Sequence, residues 1–166
     1  MTRDEIMKTM GIMIIAGSET SATLLSGAVF YLLKNPKWLL KLQEELRDTF
    51  GRESEMTFAS LGQLRVMQAV IMETFRLYPS APTMLPRRTG VQGAMVAGTF
   101  IPPNTTVGVP QYAAYRSSRN FKDASTFAPQ RFLDDDEYKH DKRSILQPFS
   151  VGPRKFHGIE SVPSQS

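Results

Sequence analysis

A mainly α-helical fold with a small β component is what this sequence predicts, and three observations carry it. Thr9 to Leu33 is nearly continuous apolar text with a single charge, Glu19. Leu39, Leu42, Leu46 and Phe50 then recur at helical spacing, which marks one buried face of a second helix. From Pro79 to Pro110 the texture changes, and prolines and glycines punctuate short β-prone runs. The chain's 166 residues suit one ordinary domain. Apolar residues at 41% and charged ones at 22% place it among globular chains.

The first helix opens on Thr2 and Glu5, spaced for a capping box. It should run to about Leu33 and stop before Asn35-Pro36, because a proline pushes its predecessor out of the α region. Its length would allow a membrane span. Against that, Ser18, Glu19, Thr20 and Ser21 form a polar clump at its middle, and an ionised carboxylate is costly at bilayer centre. A helix apolar nearly all round is otherwise a buried core helix, and that is the expectation here. Gly17 sits within it beside Ser18 and Thr20, whose hydroxyls can bond back to the carbonyl one turn earlier.

Pro36 suits a first helical turn, where its missing N–H costs nothing. Gly51 is expected to cap the end of that helix, and Lys41, Glu44, Glu45 and Arg47 to form its wet side. After a polar loop, a short helix from Phe58 should precede a firmer one over Arg65 to Leu77. In the latter, Glu73 and Arg76 share a face at i, i+3. Taken alone, such a pair is most often exposed and worth little.

Strands are expected at Ala94 to Val96, Thr99 to Ile101 and Thr105 to Val109, with turns at Ala97-Gly98 and Pro102-Pro103-Asn104. Gln111 to Arg116 reads as a helical turn or two. Phe121 to Phe132 reads as an irregular loop with aromatic anchors, and Leu133 to Ser144 as a solvated loop. The acidic run Asp134 to Glu137 lacks the alternating ligands and central glycine of a calcium loop. His140 lies among charges and reads as a surface residue.

Composition excludes several chemistries. With no cysteine, the chain cannot form disulfides, ligate zinc through sulfur or supply a thiolate. Two histidines do not make a multi-histidine metal site, so no metal ligands are assigned. A net charge of +4 with no long Lys/Arg run argues for a solvated surface and no nucleic-acid partner. No signal peptide is read at Met1 to Glu5.

Four stretches, in order, resemble the cytochrome P450 family, the haem-thiolate monooxygenases. Ala16-Gly17-Ser18-Glu19-Thr20 is similar to that family's A/G-G-x-D/E-T oxygen motif. Glu73 to Arg76 is similar to its E-x-x-R helix. Phe121 to Phe132 resembles its F-x-D-x-x-x-F-x-P-x-R-F meander, with Gln130 at a position where Glu is frequent. Phe149, Gly152, Arg154 and Gly158 fall in register with its F-x-x-G-x-R-x-C-x-G haem loop.

The resemblance implies a partial P450 fold made of central long helix, E-x-x-R helix, meander and haem loop, from a eukaryotic, fungal-type member. Residues 1–155 would be the C-terminal part of such a domain, truncated at both ends, and 156–166 a disordered tail outside the family pattern. Thr20 would deliver protons to bound dioxygen, with Glu19 as its acidic neighbour and Gly17 opening room beside haem. Arg87, or else Arg88, would pair with a haem propionate through a guanidinium fork. Phe149, Gly152 and Arg154 would shape the loop under haem. Glu73 and Arg76 would be buried and locked by Arg131, because buried charges demand partners.

The implied cofactor is haem, and the implied partners are a small apolar substrate and an NADPH-dependent flavoprotein reductase. An endoplasmic reticulum membrane location is implied for the intact relative. At the position of the family's cysteine this chain has Phe156. A proximal thiolate pushes electron density through iron to favour O–O cleavage, and phenylalanine has no lone pair to give. His157 is one residue out of register. The chain is therefore expected to be inactive by itself. Alternative readings are a non-catalytic binding or regulatory module, or a membrane-associating helical fragment.

Overall fold

A computed structural model describes residues 1–152. Helix α1 runs Arg3–Lys34 and begins with the expected capping box: Thr2 N–H donates to Glu5 Oε2 at 2.7 Å, and Glu5 N–H to Thr2 Oγ1 at 3.3 Å. It stops at Asn35, immediately before the proline that starts α2, Pro36–Thr49. After a 3-10 turn and the short α3, Phe58–Leu61, comes α4, Arg65–Leu77.

The core forms around α4. One cluster gathers Ala69 and Phe75 of α4 with Tyr115, Phe121, Phe132 and Leu146 from the later part of the chain. A second gathers Val70 and Leu77 with Trp38 of α2 and Phe127. Phe127 also stacks on Tyr31 of α1, with centroids 5.0 Å apart and rings nearly parallel. Helix α4 thus contributes to both clusters, and Phe127 joins the later loops to α1 and α2.

Gly27, the one buried residue of α1, shows how closely α1 meets the end of α4. A Cβ there would lie 2.7 Å from Tyr78 Cδ1 and 3.2 Å from Thr74 Cγ2. Side-chain removal at this position lets the two backbones approach.

Strands β1, Arg87–Arg88, β2, Ala94–Val96, β3, Thr99–Ile101, and β4, Thr106–Val107, form two antiparallel pairs. β2 pairs with β3 as a hairpin in the register Ala94↔Ile101, Met95↔Phe100, Val96↔Thr99. Its turn residues Ala97 and Gly98 both have positive φ, 49° and 80°. That is the mirror-type turn whose twist matches a hairpin's strands. β1 pairs with β4. Helix α5, Gln111–Tyr115, follows, and 3-10 turns at Pro129–Phe132, Asp136–Tyr138 and Arg143–Ile145 punctuate the remaining loops.

Four expectations need correction. The last strand is Thr106–Val107, shorter than Thr105 to Val109, because only two residues find a partner in β1. Gly51 does not cap α2, which ends at Thr49 with Phe50 already extended. Gly51 N–H is instead held by Glu55 at 2.9 Å. Glu45 is not on a wet face: its carboxylate accepts from Val66 N–H at 2.8 Å and Met67 N–H at 2.9 Å. It thereby caps the start of α4, where unpaired N–H groups and the helix dipole favour an anion.

The fourth correction concerns α1, expected to be core. Among the described residues it is largely exposed, with Ile12, Met13, Ile14 and Ile15 each about two-thirds accessible. Its C-terminal half meets α2 and α4, while residues 3–22 are exposed throughout. It is long and apolar enough to cross a membrane by length and composition.

Candidate functional site

The most completely built feature of the molecule is a charge cluster beneath α4. Glu73, Arg76 and Arg131 are wholly inaccessible to solvent. The i, i+3 spacing on α4 brings Glu73 and Arg76 together in a fork: Arg76 Nε donates to Glu73 Oε2 at 2.8 Å, and Nη2 to Oε1 at 2.7 Å. Arg131 arrives from the 3-10 turn Pro129–Phe132, and its Nε lies 3.0 and 3.2 Å from the two oxygens of Glu73. The exposed-pair alternative is therefore excluded for Glu73 and Arg76, and the third member is the residue expected.

Every donor of Arg76 has an acceptor. Nη1 donates to the carbonyls of Tyr115 and Ala124 at 2.9 and 2.6 Å, and Nη2 also reaches Thr126 O at 3.0 Å. Ala128 N–H donates to Glu73 Oε1 at 2.8 Å. The cluster thus fixes the path of the loop from Tyr115 to Ala128, which has little regular structure of its own. Arg76 and Arg131 also lie over the Phe121 ring, at 5.2 and 5.9 Å.

A fourth charge was missed by sequence reasoning. Asp141 is buried beside Arg131 and accepts from its Nη1. Its second oxygen accepts from Lys122 N–H at 2.7 Å, and Arg131 Nη2 donates to Lys122 O at 3.1 Å. Two carboxylates and two guanidiniums make the cluster neutral, which suits a dry location. The sequence signal for Asp141 was weak: one acid among several in a stretch read as solvated loop.

Tyr115 closes the cluster on the side nearest residue 147. Gln147 N–H donates to its hydroxyl at 3.0 Å. Burial pushes the phenol above its ordinary range, and the Gln147 bond acts the other way. This contact fixes where the chain enters the segment Pro148 to Gly152. Phe149 then packs edge-on against Phe75 of α4, with centroids 5.4 Å apart. Ser150 and Gly152 take positive φ, 63° and 81°, so the chain turns sharply there. Arg154, Phe156, His157 and the expected tail lie outside the described residues.

The other predicted residues stand apart from this cluster. Gly17, Glu19 and Thr20 are on the exposed middle of α1, and Gly17 has open space beside it. Thr20 Oγ1 donates to Ala16 O at 2.7 Å and Ser18 Oγ to Ile14 O at 2.8 Å, the back-bonding expected of these residue types. Ser80 Oγ donates to Thr20 O at 2.9 Å, which ties the motif to the turn after α4. Arg87 is exposed on β1 and donates to Pro86 O at 3.0 Å. Among the described residues no group of three or more His, Cys, Asp or Glu could hold a metal ion.

A mainly helical chain with a buried Glu-x-x-R pair, a locking arginine from an irregular meander and an aromatic-anchored loop defines a class. The comparisons agree with it. A family model described as cytochrome P450 matches residues 1–156. Averantin hydroxylase of Dothistroma septosporum is 48% identical over 95% of this chain and 30% of its own length. Cytochrome P450 monooxygenase aclL of Aspergillus oryzae is 46% identical over 95% of this chain and 32% of its own length. A zebra fish cytochrome P450 solved with progesterone superposes with TM-score 0.80 at 27% identity, over 97% of this chain and 36% of that one. The chain belongs to the cytochrome P450 family and spans about a third of the length of these relatives.

Haem is the cofactor of that family. The donor set of this chain does not fit thiolate-ligated haem: it holds no cysteine, and Phe156 stands at the ligand position. His140, the one histidine among the described residues, is exposed on the loop after the Asp136–Tyr138 turn.

Proposed function

We propose that this chain carries part of the scaffold of a haem monooxygenase but does not itself run thiolate-supported oxygen insertion. The observation that carries the reading is the pairing of an intact scaffold cluster with a phenylalanine at the ligand position. The cluster of Glu73, Arg76, Arg131 and Asp141 is fully formed. Its role is to hold the Tyr115–Ala128 loop and, through Tyr115 and Phe75, the approach to the haem loop. Those are positioning tasks, and they survive loss of the iron ligand.

In a family member that holds haem through a thiolate, the counterparts of Thr20 and Glu19 would handle protons beside the haem, and that of Gly17 would leave space there. Arg87 would face a propionate, and Phe149, Gly152 and Arg154 would shape the loop. The substrate would be apolar and organic, and electrons from NADPH would pass through a flavoprotein reductase to the haem. A membrane of the endoplasmic reticulum is the expected location of such a relative. This chain has no thiolate to support those steps.

The test is the reduced, carbon monoxide-treated spectrum of purified chain with added haemin. The expected result is no thiolate-type Soret band, and the same experiment on Phe156→Cys supplies the missing ligand for comparison. A thiolate-type band from the unaltered chain would overturn the reading.

One further observation favours a second, non-catalytic reading. Much of the apolar surface of α1 is uncovered among the described residues. Patches of this kind mark interaction surfaces. A helical module that docks onto a full-length relative predicts a stable complex in co-expression, and a membrane-associating module predicts carbonate-resistant membrane binding.

A further inference from the structure

The cleft between the C-terminal half of α1 and the turn after α4 has no part in the functions above. Its volume is ≈ 740 Å³, within the roughly 300–1,000 Å³ range of small-molecule sites. Thr23, Ser26, Gly27 and Phe30 line one side as a single stripe of α1, and Tyr78 and Tyr112 line the other. The walls are thus aromatic, with hydroxyl groups among them. None of the hydroxyls of Thr23, Ser26, Tyr78 and Tyr112 has a hydrogen-bond partner among the described residues.

Among the described residues, Arg116 is the only charged one in this lining. It has no carboxylate partner among the described residues, whose ion pairs involve other side chains. Its guanidinium is nevertheless fixed. Nη2 donates to Leu77 O at 2.6 Å, and the group lies 4.7 Å from the centroid of the Tyr112 ring. Its Nε is buried and has no acceptor. A partly buried cation with an unused donor is an incomplete arrangement, since buried charges and donors are ordinarily matched.

We propose that this cleft binds a small amphipathic carboxylate, one carboxyl group on an aromatic or fused-ring body. The single positive charge suits a monoanion; a phosphate dianion would call for more cationic donors than the cleft offers. A guanidinium accepts a carboxylate with directional, charge-assisted bonds. The rings of Phe30, Tyr78 and Tyr112 would cover the apolar body, and the α1 hydroxyls would add polar contacts at its edge. The site needs neither haem nor an axial ligand, so it stands independently of the reading given under the proposed function.

The experiment is calorimetric titration of the full chain with 1-naphthoate and with 1-naphthalenemethanol, a neutral probe of similar size. The carboxylate is expected to bind about 10-fold tighter or more, a gap that narrows at high salt. Arg116→Gln should remove the gap. Because Arg116 also holds Leu77 O, the second variant is Ser26→Trp, at an exposed position with no hydrogen bond. It should block both probes while its circular dichroism and melting stay those of the parent. Equal affinity for the two probes, no binding of naphthoate, or binding indifferent to Ser26→Trp would each overturn the proposal.

Discussion

Replacing Asp141 by alanine tests the four-charge cluster most directly. The substitution leaves Arg131 buried with one carboxylate in place of two, and leaves Lys122 N–H without its acceptor. Removing one partner of a buried pair costs about 3–5 kcal/mol, because the remaining charge is stranded away from water. Domains of this size have a net stability of about 5–15 kcal/mol. The variant should therefore lose a large share of its stability.

With urea m-values of about 1–3 kcal/mol/M, the unfolding midpoint should fall by about 2 M. Asp141→Asn keeps an acceptor and loses the charge, so its cost should be smaller, about 1–3 kcal/mol. The control is Glu137→Gln, which removes the half-exposed pair with Lys122 at 2.8 Å. That pair should be worth no more than about 1 kcal/mol. If Asp141→Ala moved the urea midpoint no further than Glu137→Gln, the cluster would not be a dry, interdependent unit.

Three other outcomes follow from the packing. Gly27→Ala places a Cβ 2.7 Å from Tyr78 Cδ1; it should destabilise by about 1–3 kcal/mol through overpacking, read as a lower melting temperature. Glu45→Gln weakens the anionic cap on α4 and should cost about 1 kcal/mol in urea unfolding. Tyr115 has its phenol raised above 10.0 by burial, so the folded state holds that proton more tightly than the unfolded chain. Stability from this source is complete below about pH 10 and is lost as pH rises toward the folded value. Tyr115→Phe should flatten the alkaline fall in a pH series of urea midpoints; Tyr138, also raised mainly by burial, keeps part of it.

Helices were legible where local chemistry decides them. The Thr2–Glu5 box and Pro36 set two ends of α1 and α2, and the hairpin turn at Ala97-Gly98 fell where Gly98 permits positive φ. Glu45 was misread because its own helix offers no reason for burial. Its partners are N–H groups of α4, 21 and 22 residues away. Arg131 was found by likeness to a known pattern, while Asp141 had neither pattern nor periodicity to mark it. The exposure of α1 was also illegible, because an apolar helix carries no sign of which neighbours it will have.

By itself the sequence determined the helices, the hairpin, the family likeness and the lack of any thiol, since each follows from residue identity and short-range spacing. Only the tertiary structure decided which charges are dry, which carboxylates neutralise Arg131, and that Arg116 faces a cleft without a counterion among the described residues. Those properties depend on burial and on partners far along the chain. The same aspartate is a surface residue in one packing and half of a buried pair in another.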